Sequence, residues 1–451
     1  MSVSMIRVLR STRKFVLDTK RKAMDGQVSL RNFRFNVNSR VSMSAMALAM
    51  ICALTLLTTH AAQAQTFSVL HYFTGGADGA IPYAGVTVGP SGVLYGTATT
   101  GGTHNHGTVF KLSQTNSSWV FSTLHEFTGG SDGAAPYGGA VFGPNGALYG
   151  TTNGGGANNY GTVFELRPPP TFCRSVLCYW NETILYNFMG TPDGEYAGYG
   201  NLAFDPAGDI YGTTADGGIY GDGTTFELTP SGGGYTESIL HNFGSGTDGT
   251  APYAGVVLDT AGNVYGTTIS GGTGTECEGG CGTVYQLMPS NGGWVENVLV
   301  NFNGANGIGP FGNLIIDASG NLYGTTTGGG QAGSGVVFKL APSDGGFTYS
   351  ALYSFGPYCQ SYGGVAMDAA GNFFGGCTGG FDYPSWVFEL TNCSQGCTEV
   401  DLHNFGGNDG YYPSGAPALD ANGNLYGTTQ YGGTGDGVVW EIAGVGARHQ
   451  N

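Results

Sequence analysis

The sequence predicts an all-β fold: a seven-bladed β-propeller of four-stranded blades, closed by an N-terminal strand that completes the last blade. Three observations carry this reading. Three short strings recur seven times in a fixed order, each repeat holds four β-type runs separated by turn signals, and the two ends of the array are complementary. Composition agrees. Gly makes up 84 of 451 residues without a Gly-X-Y period, which excludes collagen, while 26 Tyr and 25 Phe give ample apolar surface to bury. Only 10% of residues are charged, which argues against a helical bundle.

The chain opens with a leader. Ten of its fifteen basic residues precede residue 41, an apolar run follows from Ala45 to Leu57, and Ala62-Gln63-Ala64 supplies a small-residue cleavage site. A basic segment, a short apolar segment and an A-x-A site make a secretory signal peptide over 1–64, and the run is too short to span a membrane comfortably. The basic segment is unusually long, and initiation at Met24 would leave a leader of ordinary length. Residues 65–451 keep five basic and 29 acidic side chains, a net of -24. Such a surface repels phosphate backbones, so no nucleic-acid partner is expected. Eight cysteines follow the leader. Three tight pairs (Cys173 with Cys178, Cys277 with Cys281, Cys393 with Cys397) leave Cys359 and Cys377 as the fourth, and an even count in an exported chain reads as disulfides.

The repeats occupy 65–445, with 446–451 as a short tail. LYGTA at 94–98 returns as LYGTT at 148–152, IYGTT at 210–214, VYGTT at 264–268, LYGTT at 322–326, FFGGC at 373–377 and LYGTT at 425–429. Each is followed by a Gly-rich loop, a second string of the GTVFKL type (107–112 in the first copy), and a third that ends in Phe (LHYF at 70–73, LHEF at 124–127). Between the Tyr positions (Phe374 in the sixth copy) a unit measures 51 to 62 residues. It yields a short strand A ending in a turn such as DANG, strand B (LYGTT), strand C (GTVFKL) and strand D, the run ending in Phe. Four strands in such a unit make a propeller blade. The chain after the leader begins with a strand D that has no A, B or C before it, and the last copy stops after strand C. Pairing the two closes the ring and removes an exposed edge.

The elements GG-x-DG-x-x-PY, D-x-x-GNLYGTT, GG and GTVFKL resemble the GloVer (Gloeobacter/Verrucomicrobia-type) tandem repeat of exported bacterial proteins, over essentially all of 66–442. The resemblance implies an exported repeat protein and carries no established activity or catalytic residue. The layout is also similar to that of kelch propellers, as a fold analogy only. The terminal GVGARHQN has no recognisable anchor, so the product is expected to be secreted or periplasmic.

In a propeller the D–A and B–C loops share one face. That face collects repeated Asp-Gly turns at Asp78, Asp132, Asp193, Asp248 and Asp409, and just after them the aromatics Tyr83, Tyr137, Tyr199, Tyr253, Phe311 and Tyr362, with Ser414 in that place in blade seven. Aromatic rings beside carboxylates are what a sugar-binding channel mouth needs, because rings stack on C–H faces and carboxylates accept hydroxyl hydrogen bonds. The competing reading is that Asp-Gly makes a turn and each Tyr packs between blades, which repetition in nearly every blade favours. His71, His125, His241 and His403 share one repeat position, held elsewhere by Tyr186, Val300 or Tyr353, so they are expected to be packing residues. His104 and His106, unique to the first B–C loop, are a candidate metal pair without a third ligand. No cofactor is expected; calcium is the ion that an acidic loop with Asp216 and Asp222 would suit. Catalytic residues stay unassigned, since no H-E-x-x-H or P-loop occurs.

The sequence therefore points to a monomeric secreted binding or scaffold module for a carbohydrate or a cell-envelope protein, with no membrane span after leader cleavage. The alternative is a secreted hydrolase or lyase using channel-mouth carboxylates. The leader analysis makes a direct prediction: N-terminal sequencing of exported protein should begin at Gln65, and an intact basic leader would reject the assignment.

Overall fold

The computed structural model describes residues 65–170, 179–244, 247–379, 383–394 and 396–446. The leader and the Cys173–Cys178 pair lie outside these residues.

Seven four-stranded antiparallel sheets form the ring, each ordered A-B-C-D from the channel outward. Blade one runs Thr87–Val88, Leu94–Ala98, Thr108–Thr115 and Ser118–Glu126. Blade seven takes Ala418–Leu419, Leu425–Thr429 and Val438–Ala443 from the end of the array, and its strand D is Thr66–Tyr72. That strand pairs from Thr66 opposite Ala443 to Tyr72 opposite Val438. Phe73 N donates to Gly437 O at 3.0 Å, and Thr434 Oγ1 donates to Phe73 O at 2.6 Å. The expected closure is the observed one.

Position within a blade sets the residue pattern. Strand B is covered on both faces by neighbouring blades, and all five residues of Leu94–Ala98, Leu148–Thr152 and Leu425–Thr429 are buried. Strand D is the outer edge and alternates exposed with half-buried residues along Gly234–Asn242. The core lies between blades rather than within them. Seven apolar clusters each join adjacent blades; Tyr149 and Val163 of blade two, for example, pack on Ile210 and Phe226 of blade three. Within a blade, the Gly of LYGTT sits under a strand C aromatic: a Cβ at Gly96 would lie 2.5 Å from the Phe110 ring opposite it.

Around the channel the inner segments meet backbone to backbone. A Cβ on Gly415 of blade seven would run into the amide nitrogen of Gly85 in blade one, and Gly200–Gly255 and Gly312–Gly364 repeat the approach. The first Thr of LYGTT then reaches sideways. Thr97 donates to Gly138 O at 2.9 Å, Thr213 to Ala254 O at 2.8 Å, and Thr428 to Ala84 O at 2.9 Å across the closure. In blade six this position is Gly376, because the Pro413 carbonyl occupies the space a side chain would need.

In every blade the C–D ladder shifts register where strand D nears its end, as between Val109 and Phe110 opposite His125 and Thr123. The extra residue is the Leu of the LHxF string, a β-bulge that bends the strand and turns the following His or Tyr toward the next loop. Deleting 66–72 should expose strand C of blade seven as an open edge and uncover Trp440 and Ile442. The expected result is aggregation or a melting temperature lowered by many degrees. A truncated chain that melts like the parent would contradict closure.

Candidate functional site

The D–A and B–C loops do share a face: short bridges join Ala80 to Thr100, Ala134 to Gly154 and Tyr411 to Tyr431. Six of the seven blades carry an aromatic there, just before the close-packed glycine, so the backbone constraint that sets the channel also delivers the rings to its rim. Tyr83, Tyr137, Tyr199, Tyr253, Phe311 and Tyr362 form one unbroken arc, with successive ring centroids 5.4, 4.8, 4.5, 5.2 and 5.5 Å apart. All six are half-buried. Tyr83, Tyr199, Phe311 and Tyr362 line the channel cavity, and Ser414, buried at blade seven, leaves the one gap in the arc. Burial raises the Tyr83 phenol above its ordinary value, reinforced by Tyr199, Tyr362, Tyr137 and Tyr253. Burial likewise pushes Tyr199 up to about 12, with Tyr253, Tyr137 and Asp216 adding to it.

The Asp-Gly carboxylates do not point into that volume. Asp78 accepts from Thr74 N at 3.0 Å and Thr74 Oγ1 at 2.5 Å, and its second oxygen also binds His71 Nε2 at 3.0 Å. Asp132 is held by Thr128 in the same way. Asp193 takes Tyr186 OH at 3.1 Å and Met189 N at 2.9 Å, Asp248 takes His241 at 3.0 Å, and Asp409 takes His403 at 2.8 Å. These Asp side chains close their own loops. The strand D histidines, expected from the sequence to be packing residues, are therefore anchors of the turn: His71, His241 and His403 bind the carboxylate directly, and Tyr186 replaces them in blade two. Burial pulls Asp78 upward, but hydrogen bonds from His71 and Thr74 outweigh it and hold the carboxyl below its usual value.

One carboxylate outside the turns does act on the rim electrostatically. Asp216 forms a two-residue ladder with Glu195, and burial, Glu195 and Asp222 together raise it above the ordinary Asp range. It acts electrostatically on both Tyr199 and Tyr253. The other blades have Thr100, Gly154, Ser270, Gly328, Gly379 or Tyr431 at this position, so the acid is particular to blade three. The sequence flagged Asp216 for calcium but gave no sign that its charge acts on two rings of the arc.

His104 and His106 are exposed on the first B–C loop, and His106 packs over Gly129 of the next loop. Among the described residues no carboxylate or Cys joins them in a three-ligand group. Disulfides link Cys277 to Cys281, Cys359 to Cys377 and Cys393 to Cys397. The second ties the D–A loop entering blade six to the end of its strand B, where the Asp-Gly turn is missing. Among the described residues, no helix is long and apolar enough to cross a membrane.

The loop clamps leave an uncompensated acid behind. Glu237 of strand D in blade three faces Tyr186 and Asp193 of the preceding blade, and burial together with Asp193 lifts it to about 7. A folded-state value above the unfolded one means the folded protein keeps a proton that the unfolded chain has lost, so stability falls as pH rises through that window. Glu237→Gln should therefore gain stability relative to the parent between pH ~4.5 and ~7 and hold a level advantage above it, since the parent loses proton-linked stability only in that window. Paired denaturant titrations at several pH values would measure the gap, and a gap independent of pH would reject it.

The repeat register matches known proteins at family level. The Gloeobacter/Verrucomicrobia repeat matches residues 55–181 and 179–384. No curated protein sequence matches the chain. Among solved structures, Kuenenia stuttgartiensis hydrazine synthase is similar at TM-score 0.51 and 13% identity, covering 80% of this chain and 96% of that one. The extracellular domain described as part of a one-component system of B. thetaiotaomicron is similar at TM-score 0.50 and 11% identity, covering 83% of this chain and 39% of that one. An ulvan lyase of polysaccharide lyase family PL25 is similar at TM-score 0.45 and 12% identity, over 84% of this chain and 95% of that one. At such identities the likeness is one of fold alone. Carried by its seven repeated units, the chain belongs to the Gloeobacter/Verrucomicrobia repeat family.

Proposed function

We propose that the chain is an exported binding module that takes a neutral, ring-bearing ligand, a carbohydrate of the cell envelope or its surroundings, at the aromatic mouth of the channel. The observation that carries this reading is the arc of six half-buried rings, five of them tyrosines, at the rim of a channel cavity that Ser414 also lines. Ring faces stack on the C–H faces of sugars, and a small set of convergent hydroxyls fixes orientation. Because the Asp-Gly carboxylates are engaged in their own loops, the tyrosines rather than these acids make the contact. The protein works as a monomer outside the cytoplasm, where its disulfides persist.

Asp216 supports a second reading, a hydrolase or lyase. Glu195 and Asp222 beside it keep its carboxyl more readily protonated than an ordinary Asp, as a general acid requires. Turnover of a bound glycan that disappears in Asp216→Asn would move the assignment to this reading.

A glycan array with the purified protein tests binding. Tyr83→Phe and Tyr199→Phe keep the ring contacts and remove the hydroxyls. Each should weaken the captured glycan roughly two- to tenfold, the range of one net hydrogen bond at ~0.5–1.5 kcal/mol, with the melting temperature held. Affinity unchanged in both variants would place the ligand elsewhere.

A further inference from the structure

The outer ends of the crevices between blades are built from one three-part pattern. The strand D residue His71, His125, Tyr186, His241, Val300, Tyr353 or His403 meets the loop that follows it, and strand D of the next blade supplies a third side chain four residues before its own member of the set. In two crevices that third side chain is a ring: Phe121 stacks on His71 with centroids 3.9 Å apart, and Phe67 on His403 at 3.5 Å. In two more a Tyr supplies a hydroxyl in place of the imidazole: Tyr186 binds Asp193, and Tyr353 binds Glu399 at 2.7 Å. Between blades four and five the pattern is Val300, Asn306 and Tyr349, with Tyr349 OH donating to Asn306 O at 2.6 Å.

The crevices between blades one and two and between blades three and four differ from all of these. They bring together His125, Asp132 and Glu182, and His241, Asp248 and Glu296, each trio with its ligand atoms within 4.8 Å of one another. His125 Nε2 lies 3.4 Å from Glu182 Oε1 and 3.8 Å from Asp132 Oδ2, too far for hydrogen bonds, and His241 Nε2 lies 3.0 Å from Asp248 Oδ2. His125 Nε2, Glu182 Oε1 and Glu296 Oε1 are buried and make no hydrogen bond. A neutral imidazole with two carboxylates carries a charge of -2. Among the described residues no Lys or Arg forms a salt bridge with either trio.

We propose that these two crevices are sites for a divalent cation of the zinc class, each clipping one blade to the next. One imidazole nitrogen and two carboxylate oxygens, with a water in the fourth position, suit zinc, whereas calcium and magnesium prefer oxygen ligands alone. A tetrahedral ion bound at ~2.0–2.2 Å separates its ligands by roughly 3.3–3.6 Å, and the His–carboxylate spacings of 3.0, 3.4 and 3.8 Å bracket that range. His104 and His106 sit on the adjoining B–C loop, where His106 packs over Gly129, but neither belongs to a trio, and both trios are separate from the aromatic arc.

The test uses the full chain, purified without a histidine tag, stripped with a chelator and titrated with ZnCl2 by calorimetry and thermal melting. Two equivalents of zinc should bind and raise the melting temperature, while CaCl2 and MgCl2 do neither. Glu182→Gln and Glu296→Gln should each remove one equivalent, or weaken it at least tenfold, with metal-free melting at or above that of the parent. His125→Gln and His241→Gln read the same two sites independently. Glu237→Gln, in a crevice with Tyr186 in place of His, and the double variant His104→Ala, His106→Ala should keep both equivalents. No zinc bound, uptake that survives both Glu→Gln changes, or uptake lost with His104 and His106 would overturn the proposal.

Discussion

Everything else in the ring hangs on the contact at its centre, where inner segments of adjacent blades approach backbone to backbone. At Gly415 against Gly85, any side chain would push the blades apart. Held at this distance, strand A can pair for only two or three residues before the blades fan outward. The strand B Thr becomes close enough to donate to the neighbour's carbonyl, and the ring just before each glycine has nowhere to go but the channel rim. The aromatic arc follows from the same close approach that makes the fold. A core placed between blades follows as well: the wedge that opens outward is filled by Phe, Leu and Val from both sides, and burial of that apolar surface is what holds the blades together.

The polar groups show how differently one kind of side chain fares a few ångströms apart. Asp78 meets a backbone amide, a hydroxyl and an imidazole, and stays ionised more readily than a free Asp. Glu237, equally part of the inter-blade crevice, faces Asp193 and lacks donors of its own, so its proton is held more tightly. With so few basic side chains in the array, neutral donors do most of the work of stabilising carboxylates. Tyr of the LYGTT string does the same inside five of the blades: Tyr265 OH reaches Asp259 at 2.9 Å and Tyr211 OH reaches Glu227 at 2.7 Å. Hydrogen bonds from neutral groups, rather than ion pairs, carry the internal electrostatics here.

Blade number, strand order, ring closure and the Cys359–Cys377 bridge were all legible in the sequence, because each rests on spacing within or between identical units. The lateral relations were not. Which side chain of one blade meets which of the next depends on the bulge in strand D and on the angle between sheets, and neither leaves a mark in the repeat register. That is why His71 read as packing when it binds Asp78, and why Asp216 gave no hint that its charge acts on Tyr199 and Tyr253. Glu182, Glu237 and Glu296 did leave a trace, since each stands four residues before the strand D position, as in ESILH. That trace gains meaning only once neighbouring blades are in place.

Closure through strand D of blade seven has a consequence for the order of assembly. Thr66–Tyr72 belongs to a sheet whose other strands lie more than 340 residues later. Six blades can form from contiguous stretches of chain, each a local event. The seventh must wait for the far end of the array to arrive, so the opening strand spends the whole of synthesis unpaired, an apolar edge with no partner. Contacts of such sequence separation are slow to form and leave intermediates open to mispairing, including with the same strand of another molecule. For this architecture the demanding step is keeping the first strand available until the last has been made.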